Sequence, residues 1–183
     1  MSMRMGRPSV LKRVTRAGGQ AGAGAYTAVL SLVVLGASGA IGIALTSPWL
    51  FPSLGPTVML IFGSPQEKAS RPLNAAVGHA VAIVAGLICL YLFGMAGKPP
   101  APVGGPTPGY VLAGAVSVAL TAFVLHVVKL PHPPAGATTL IVSLGIIATP
   151  PGILSMAAAI AFTIVAGWGI NWLLGERLRR GLG

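Results

Sequence analysis

The sequence predicts an all-α polytopic membrane protein: four full transmembrane helices plus two broken, short membrane segments, arranged as a 3+3 inverted repeat. Three observations predict it. Of 183 residues, 54% are hydrophobic and 8% charged, with only Glu67 and Glu176 acidic, so the chain lacks the groups to cover a water-soluble surface. Four apolar stretches reach the roughly 20 residues that a spanning helix needs. A Pro/Gly interruption also occurs twice at matching places: Pro52-Ser53-Leu54-Gly55-Pro56-Thr57 returns 81 residues later as Pro133-Pro134-Ala135-Gly136-Ala137-Thr138, each before a short apolar run.

Residues 1–25 form a basic segment with Arg4, Arg7, Lys12, Arg13 and Arg16. It is not a cleavable signal, because the apolar stretch after it, 26–46, exceeds the h-region of about 7–15 residues and leads into more membrane sequence. Gly36, Gly39 and Gly42 give that first span a small face suited to close helix packing. The first broken segment covers about 49–63, and a loop with Glu67, Lys68 and Arg71 leads to the second long span, 75–95, which carries His79 and Cys89. A single cysteine provides neither a disulfide framework nor a cysteine metal site. The linker 96–109 is too rich in proline and glycine for a continuous helix. The third long span, 110–128, carries Ala113, Ser117 and Thr121 as a second small face. The second broken segment, about 136–147, and the last span, 153–174, follow, and a basic tail at 175–183 ends the chain. Residues 26–174 are thus one membrane domain, with repeat 1 at 26–95 and repeat 2 at 110–174.

Charge favours six crossings. If the short segments only re-enter, nine Lys/Arg lie on one side and three on the other; if both cross, eleven lie on one side and Lys98 alone on the other. The positive-inside rule prefers the second, with both termini cytoplasmic and a bacterial inner membrane as the expected location. Length permits it, since eight extended residues at about 3.3 Å and nine helical ones at about 1.5 Å reach roughly 40 Å. Three crossings per unit invert the second unit relative to the first.

Non-helical backbone at membrane depth survives only where it is buried in protein or lines a wet cavity. Each break therefore marks an interior. A helix starting after Gly55-Pro56 or Gly136-Ala137 aims unpaired N–H groups and a positive dipole end into it, an arrangement suited to an anion. Thr57, Thr138 and Thr139 add hydroxyls, Gly55 and Gly136 permit a close backbone turn, and Pro56 and Pro133 fix it. Glu67 lies in a basic loop and Glu176 in the tail, so the sequence offers no buried carboxylate of the kind cation-coupled carriers keep. Asn74, His79, His126 and Lys129 are accessory candidates, and His132, beside the second break, is a direct one.

The net charge of +10 flanks the apolar segments and leaves no basic, aromatic-studded fold for nucleic acid. No Gly-x-Ser-x-Gly elbow, His-x-x-x-His pair or acidic cluster suggests an enzyme, and no metal or cofactor is expected.

The run Leu130-Pro131-His132-Pro133-Pro134-Ala135-Gly136 holds the His-Pro-Pro signature of the HPP family of integral membrane proteins, and three further blocks resemble that family: Ser53-Leu54-Gly55-Pro56-Thr57, Phe62-Gly63-Ser64-Pro65, and Arg71-Pro72-Leu73-Asn74 followed by Gly78-His79. The resemblance covers roughly residues 26–174 and implies nitrite transport, since plastid and cyanobacterial members are implicated in it. It also implies four transmembrane regions, a smaller number than the six crossings that charge favours. The expected function is a permease for a small inorganic anion, nitrite foremost, bound by Gly55, Pro56, Thr57, His132, Pro133, Pro134, Gly136, Ala137, Thr138 and Thr139. An anion channel, a carrier of another small solute and a non-transporting scaffold are the alternatives. The lipid bilayer and a small anion are the expected partners; a homo-oligomer is left open.

Overall fold

The computed structural model describes residues 8–178; Arg4, Arg7, Arg179 and Arg180 lie outside them. Among the described residues every regular element is helical: α1 (Val10–Ala44), α2 (Leu54–Gly63), a 3-10 turn (Lys68–Ser70), α3 (Pro72–Leu92), α4 (Ala101–Gly104), α5 (Pro108–Val127), α6 (Ala135–Ser143) and α7 (Pro150–Leu173). Four of these, α1, α3, α5 and α7, are long and apolar enough to cross a membrane. α2 and α6, with 10 and 9 residues, are not.

The helix boundaries follow local chemistry. Pro72, Pro108 and Pro150 open α3, α5 and α7 at the first position, where proline's missing N–H costs nothing. Thr107 and Thr149 cap the latter two by accepting from Tyr110 N and Gly152 N. α1 starts sixteen residues before the first apolar stretch and bends at Gly19, whose φ of 57° leaves the helical region. The leading piece is amphipathic: Val10, Leu11 and Val14 pack onto the core while Lys12, Arg13 and Arg16 stay exposed. The basic segment is thus partly an N-terminal helix, built around a Ser9 cap that receives Lys12 N. The linker holds one helical turn, α4, and is otherwise irregular up to Thr107, its last two residues already belonging to α5.

Two ends of the bundle can be traced through hydrogen bonds. At one, Val10 N donates to Leu174 O (3.0 Å), Asn171 Nδ2 to Ile61 O (2.7 Å) and Trp168 Nε1 to Ser70 O (2.8 Å). The start of α1, the end of α2 and the end of α7 meet there. At the other, Ser155 Oγ donates to Pro48 O (2.7 Å), Ala101 N to Leu144 O (3.0 Å) and Tyr110 Oη to Pro99 O (2.8 Å). The start of α7, the end of α6 and the start of α5 meet there. α2 and α6 therefore run toward opposite ends.

Packing is arranged around α3, which lies against α5, α6 and α7, while α2 lies between α1 and α7. One apolar core joins Leu54, Ala75, Ile141, Val142, Met156 and Ala159, and a second joins Val34, Val58, Ile61 and Phe62. Of Gly36, Gly39 and Gly42 on α1 only Gly42 touches a neighbour, the returning chain at Ser47 and Trp49; Gly36 and Gly39 have open space, so most of that small face is not a contact within this chain. Ala113, Ser117 and Thr121 on α5 are buried, as their spacing suggested.

Close approach is instead made at Gly86, where a Cβ would lie 2.7 Å from Val142 Cβ and 3.0 Å from Thr139 O. Gly86→Leu should destabilise the fold by about 1–3 kcal/mol through overpacking, whereas Gly36→Leu, with nothing within 4 Å, should leave it unchanged. Thermal melting of both in detergent tests this, and equal melting temperatures would contradict the packing.

Candidate functional site

Thr57 and Thr138 are each the fourth residue of a short helix, α2 and α6. Both are fully buried, and both meet one ring. Thr57 Oγ1 lies 3.2 Å from His79 Nε2 and Thr138 Oγ1 2.7 Å from His79 Nδ1. A third group completes the cluster: His132 Nε2 is 3.2 Å from His79 Nε2, with the rings edge to face at 71°. His79 and His132 are 1% and 2% exposed.

The local sequence explains how they are held. Pro131, Pro133 and Pro134 stiffen the backbone on either side of His132. α3 receives this turn on one face: Asn74 Nδ2 donates to Pro131 O (3.1 Å), and at Gly78 a Cβ would sit 2.8 Å from His132 Cβ, so a side chain there would displace the ring. His79 comes next and points into the cluster. On the far side His132 Nδ1 lies 2.9 Å from Ala69 O.

These partners fix the tautomers. A carbonyl only accepts, so His132 Nδ1 carries the hydrogen and its neutral Nε2 is bare. The bridge to His79 then needs hydrogen on His79 Nε2, which leaves Nδ1 bare to accept from the Thr138 hydroxyl. Thr57 in turn donates to Ser53 O at 2.8 Å. The result is a one-way chain from Thr138 through both imidazoles to Ala69.

Other candidates stand apart from the ring. Thr139 donates to Ala135 O and lies 2.9 Å from Thr121 Oγ1, so it faces α5. Gly55 and Gly136 have open space at a Cβ position and no left-handed φ. They are therefore not required for a close turn; that need falls on Gly78 and Gly86, which their spacing alone does not announce. Pro56, Pro133, Pro134 and Ala137 line an apolar groove with Met59 and Leu60. Gly136 and His132 border a cavity of about 270 Å³, together with Thr121, His126 and Pro131. His126 and Pro131 also border a second cavity of about 370 Å³ that reaches Lys68 and Lys129.

Two features are new relative to the sequence. Ser53 Oγ, fully buried at the start of α2, has no hydrogen-bond partner. Glu176 is buried, contrary to its reading as a tail residue: it accepts from Ser9 and from Gln66 Nε2 (2.8 Å). It fastens the two ends of the chain rather than entering the imidazole cluster. No three His, Cys, Asp or Glu side chains gather as metal ligands among the described residues.

The family model for the HPP transmembrane region matches residues 15–178. No curated protein and no solved structure matches the chain.

Opposite tautomers are a measurable consequence. Solid-state NMR of ¹⁵N-histidine protein in bilayers near pH 8 should give one buried ring protonated at Nε2 and one at Nδ1, with His79→Gln and His132→Gln assigning each. Two identical tautomers would contradict the chain of hydrogen bonds.

Proposed function

The chain belongs to the HPP family of transmembrane proteins, and on that premise we propose that it is a permease for a small inorganic anion, nitrite foremost, working across six crossings built as a 3+3 inverted repeat. The observation that carries the reading is the convergence of two equivalent first-turn threonines, 81 residues apart, on the single imidazole of His79. It brings the first turns of two half-helices to one polar point inside an apolar bundle, where the positive dipole ends favour negative charge. Contrary to the sequence expectation, the first N–H groups of α6 are already paired, Ala135 N to His132 O (3.0 Å), Gly136 N to Pro133 O (3.0 Å) and Ala137 N to Pro134 O (3.2 Å), so the hydroxyls carry the donor role.

Further support comes from packing and charge. Exchanging α1 with α5, α2 with α6 and α3 with α7 turns each main packing pair into another that exists: α1–α2 into α5–α6, α3–α6 into α2–α7, and α3–α5 into α1–α7. That is what a pseudo-two-fold in the membrane plane requires. The non-helical stretches before α2 (45–53) and α6 (128–134) add to the length that the short helices lack. Lys12, Arg13, Arg16, Lys68, Arg71, Lys129 and Arg177 then share the cytoplasmic side, opposite Lys98. Gly136, Thr138 and the unpartnered Ser53 hydroxyl are the binding groups in this reading, with His132 at the inner approach. The choice of nitrite among small anions follows from the family.

The test is uptake of nitrite into proteoliposomes at a pH high enough to suppress nitrous acid leakage. Wild-type protein should give saturable uptake, and a folded Gly136→Leu variant, which fills the cavity without meeting a neighbour at Cβ, should lose at least tenfold of it. Uptake no greater than in protein-free vesicles, for nitrite, nitrate, formate and bicarbonate alike, would refute the permease.

A further inference from the structure

Building on the permease reading, we infer that the His79–His132 pair is a one-proton site loaded together with the anion, so that the chain moves one proton with each monovalent anion. The inference rests on the number of hydrogens the cluster can hold. Its four ring nitrogens have fixed partners: Thr138 Oγ1 at His79 Nδ1, the opposing Nε2 atoms, with Thr57 Oγ1, which already donates to Ser53 O, also accepting at His79 Nε2, and Ala69 O at His132 Nδ1. The neutral pair holds two hydrogens, on His79 Nε2 and His132 Nδ1. One more fits: the bridge keeps a single hydrogen between the two Nε2 atoms, His132 Nδ1 still donates to Ala69, and His79 Nδ1 gains a hydrogen and donates to Thr138. A fourth would set two N–H groups head to head across 3.2 Å. The capacity is therefore one proton.

Loading that proton reverses Thr138. In the neutral pair its hydroxyl donates to His79 Nδ1; in the loaded pair it accepts from Nδ1, and its own hydrogen is released at the start of α6. Proton uptake thus creates both a positive charge and a free donor at the point where the anion is read to bind.

A counter-charge is required. The ionisable groups on the surrounding elements are Glu67, Lys68 and Arg71 around the 3-10 turn, Cys89 and Tyr91 toward the far end of α3, and Tyr110 and His126 on α5, with Lys129 just after it; α2, α6 and α7 bring none. Glu67 is exposed in its loop, and Glu176 is engaged by Ser9 and Gln66. The pair therefore has no carboxylate in hydrogen-bond contact, and an isolated buried cation is strongly disfavoured. A bound anion removes that penalty. By linkage the proton must raise anion affinity by the same factor as the anion raises proton affinity.

The experiment uses the full chain in proteoliposomes, nitrite as the probe, membrane potential clamped at zero with potassium and valinomycin, and protein-free vesicles subtracted. With the interior more alkaline by one unit, saturable uptake should proceed to about tenfold accumulation, the ratio that one proton per anion imposes. Imposing a potential without a pH gradient should drive no accumulation. His79→Gln and His132→Gln, each shown folded by size-exclusion chromatography, should lose the gradient-driven accumulation. Saturable uptake that follows potential and ignores the pH gradient would overturn the coupling and leave the permease standing, as would full coupling retained in both folded variants. Absence of saturable wild-type uptake would overturn both.

Discussion

The fold turns on the requirement that backbone leaving a helix inside hydrocarbon must find partners from the protein itself. Each break in this chain finds them on a long helix. Ser38 of α1 donates to Trp49 O (2.6 Å) and Ser155 of α7 to Pro48 O on the way into the first break. Asn74 of α3 donates to Pro131 O on the way into the second. The shared point is His79, whose two nitrogens engage Thr57 and Thr138 and so fasten the two short helices to α3 and to each other. Small residues on α3 make this approach possible: Gly78 under His132, Ala82 and Ala85 in the core, Gly86 against α6.

Much of this was legible in the sequence. Long apolar runs gave α3, α5 and α7 to within a few residues, because in lipid a spanning helix is set by length and composition rather than by periodicity. The repeated Pro/Gly break located α2 and α6, and the matching threonines were visible by their 81-residue offset. The role of His79 was not. A histidine near a helix start has many commoner explanations, and only the packing of three distant segments brings His132, Thr57 and Thr138 onto its ring. The glycines illustrate the same limit. Those inside the motif were natural choices for tight turns, yet the ones that let His132 and α6 approach α3, Gly78 and Gly86, belong to an ordinary-looking helix. Glu176 was likewise misplaced by its position in a basic tail, since its burial depends on the N-terminal helix folding back onto α7.

The chemistry of the centre follows from what it lacks as much as what it holds. Hydroxyls, imidazoles and helix N-termini converge there, and no carboxylate is in hydrogen-bond contact with either ring. In the proposed reading a small anion supplies the missing negative charge, and the proton content of the centre is set by the same hydrogen bonds that hold the fold together. Stability and transport would then share residues, which makes the tolerance of this centre to substitution narrow.

A double-mutant cycle on Thr57→Val and Thr138→Val, read by thermal melting of the purified protein, tests most directly whether one imidazole joins the two short helices. The account predicts that the double variant departs from the sum of the single losses by about 0.5 kcal/mol or more, because both hydroxyls act through the same ring. Additivity within about 0.3 kcal/mol would mean that the two helices are held independently, and would contradict the shared centre on which the rest is built.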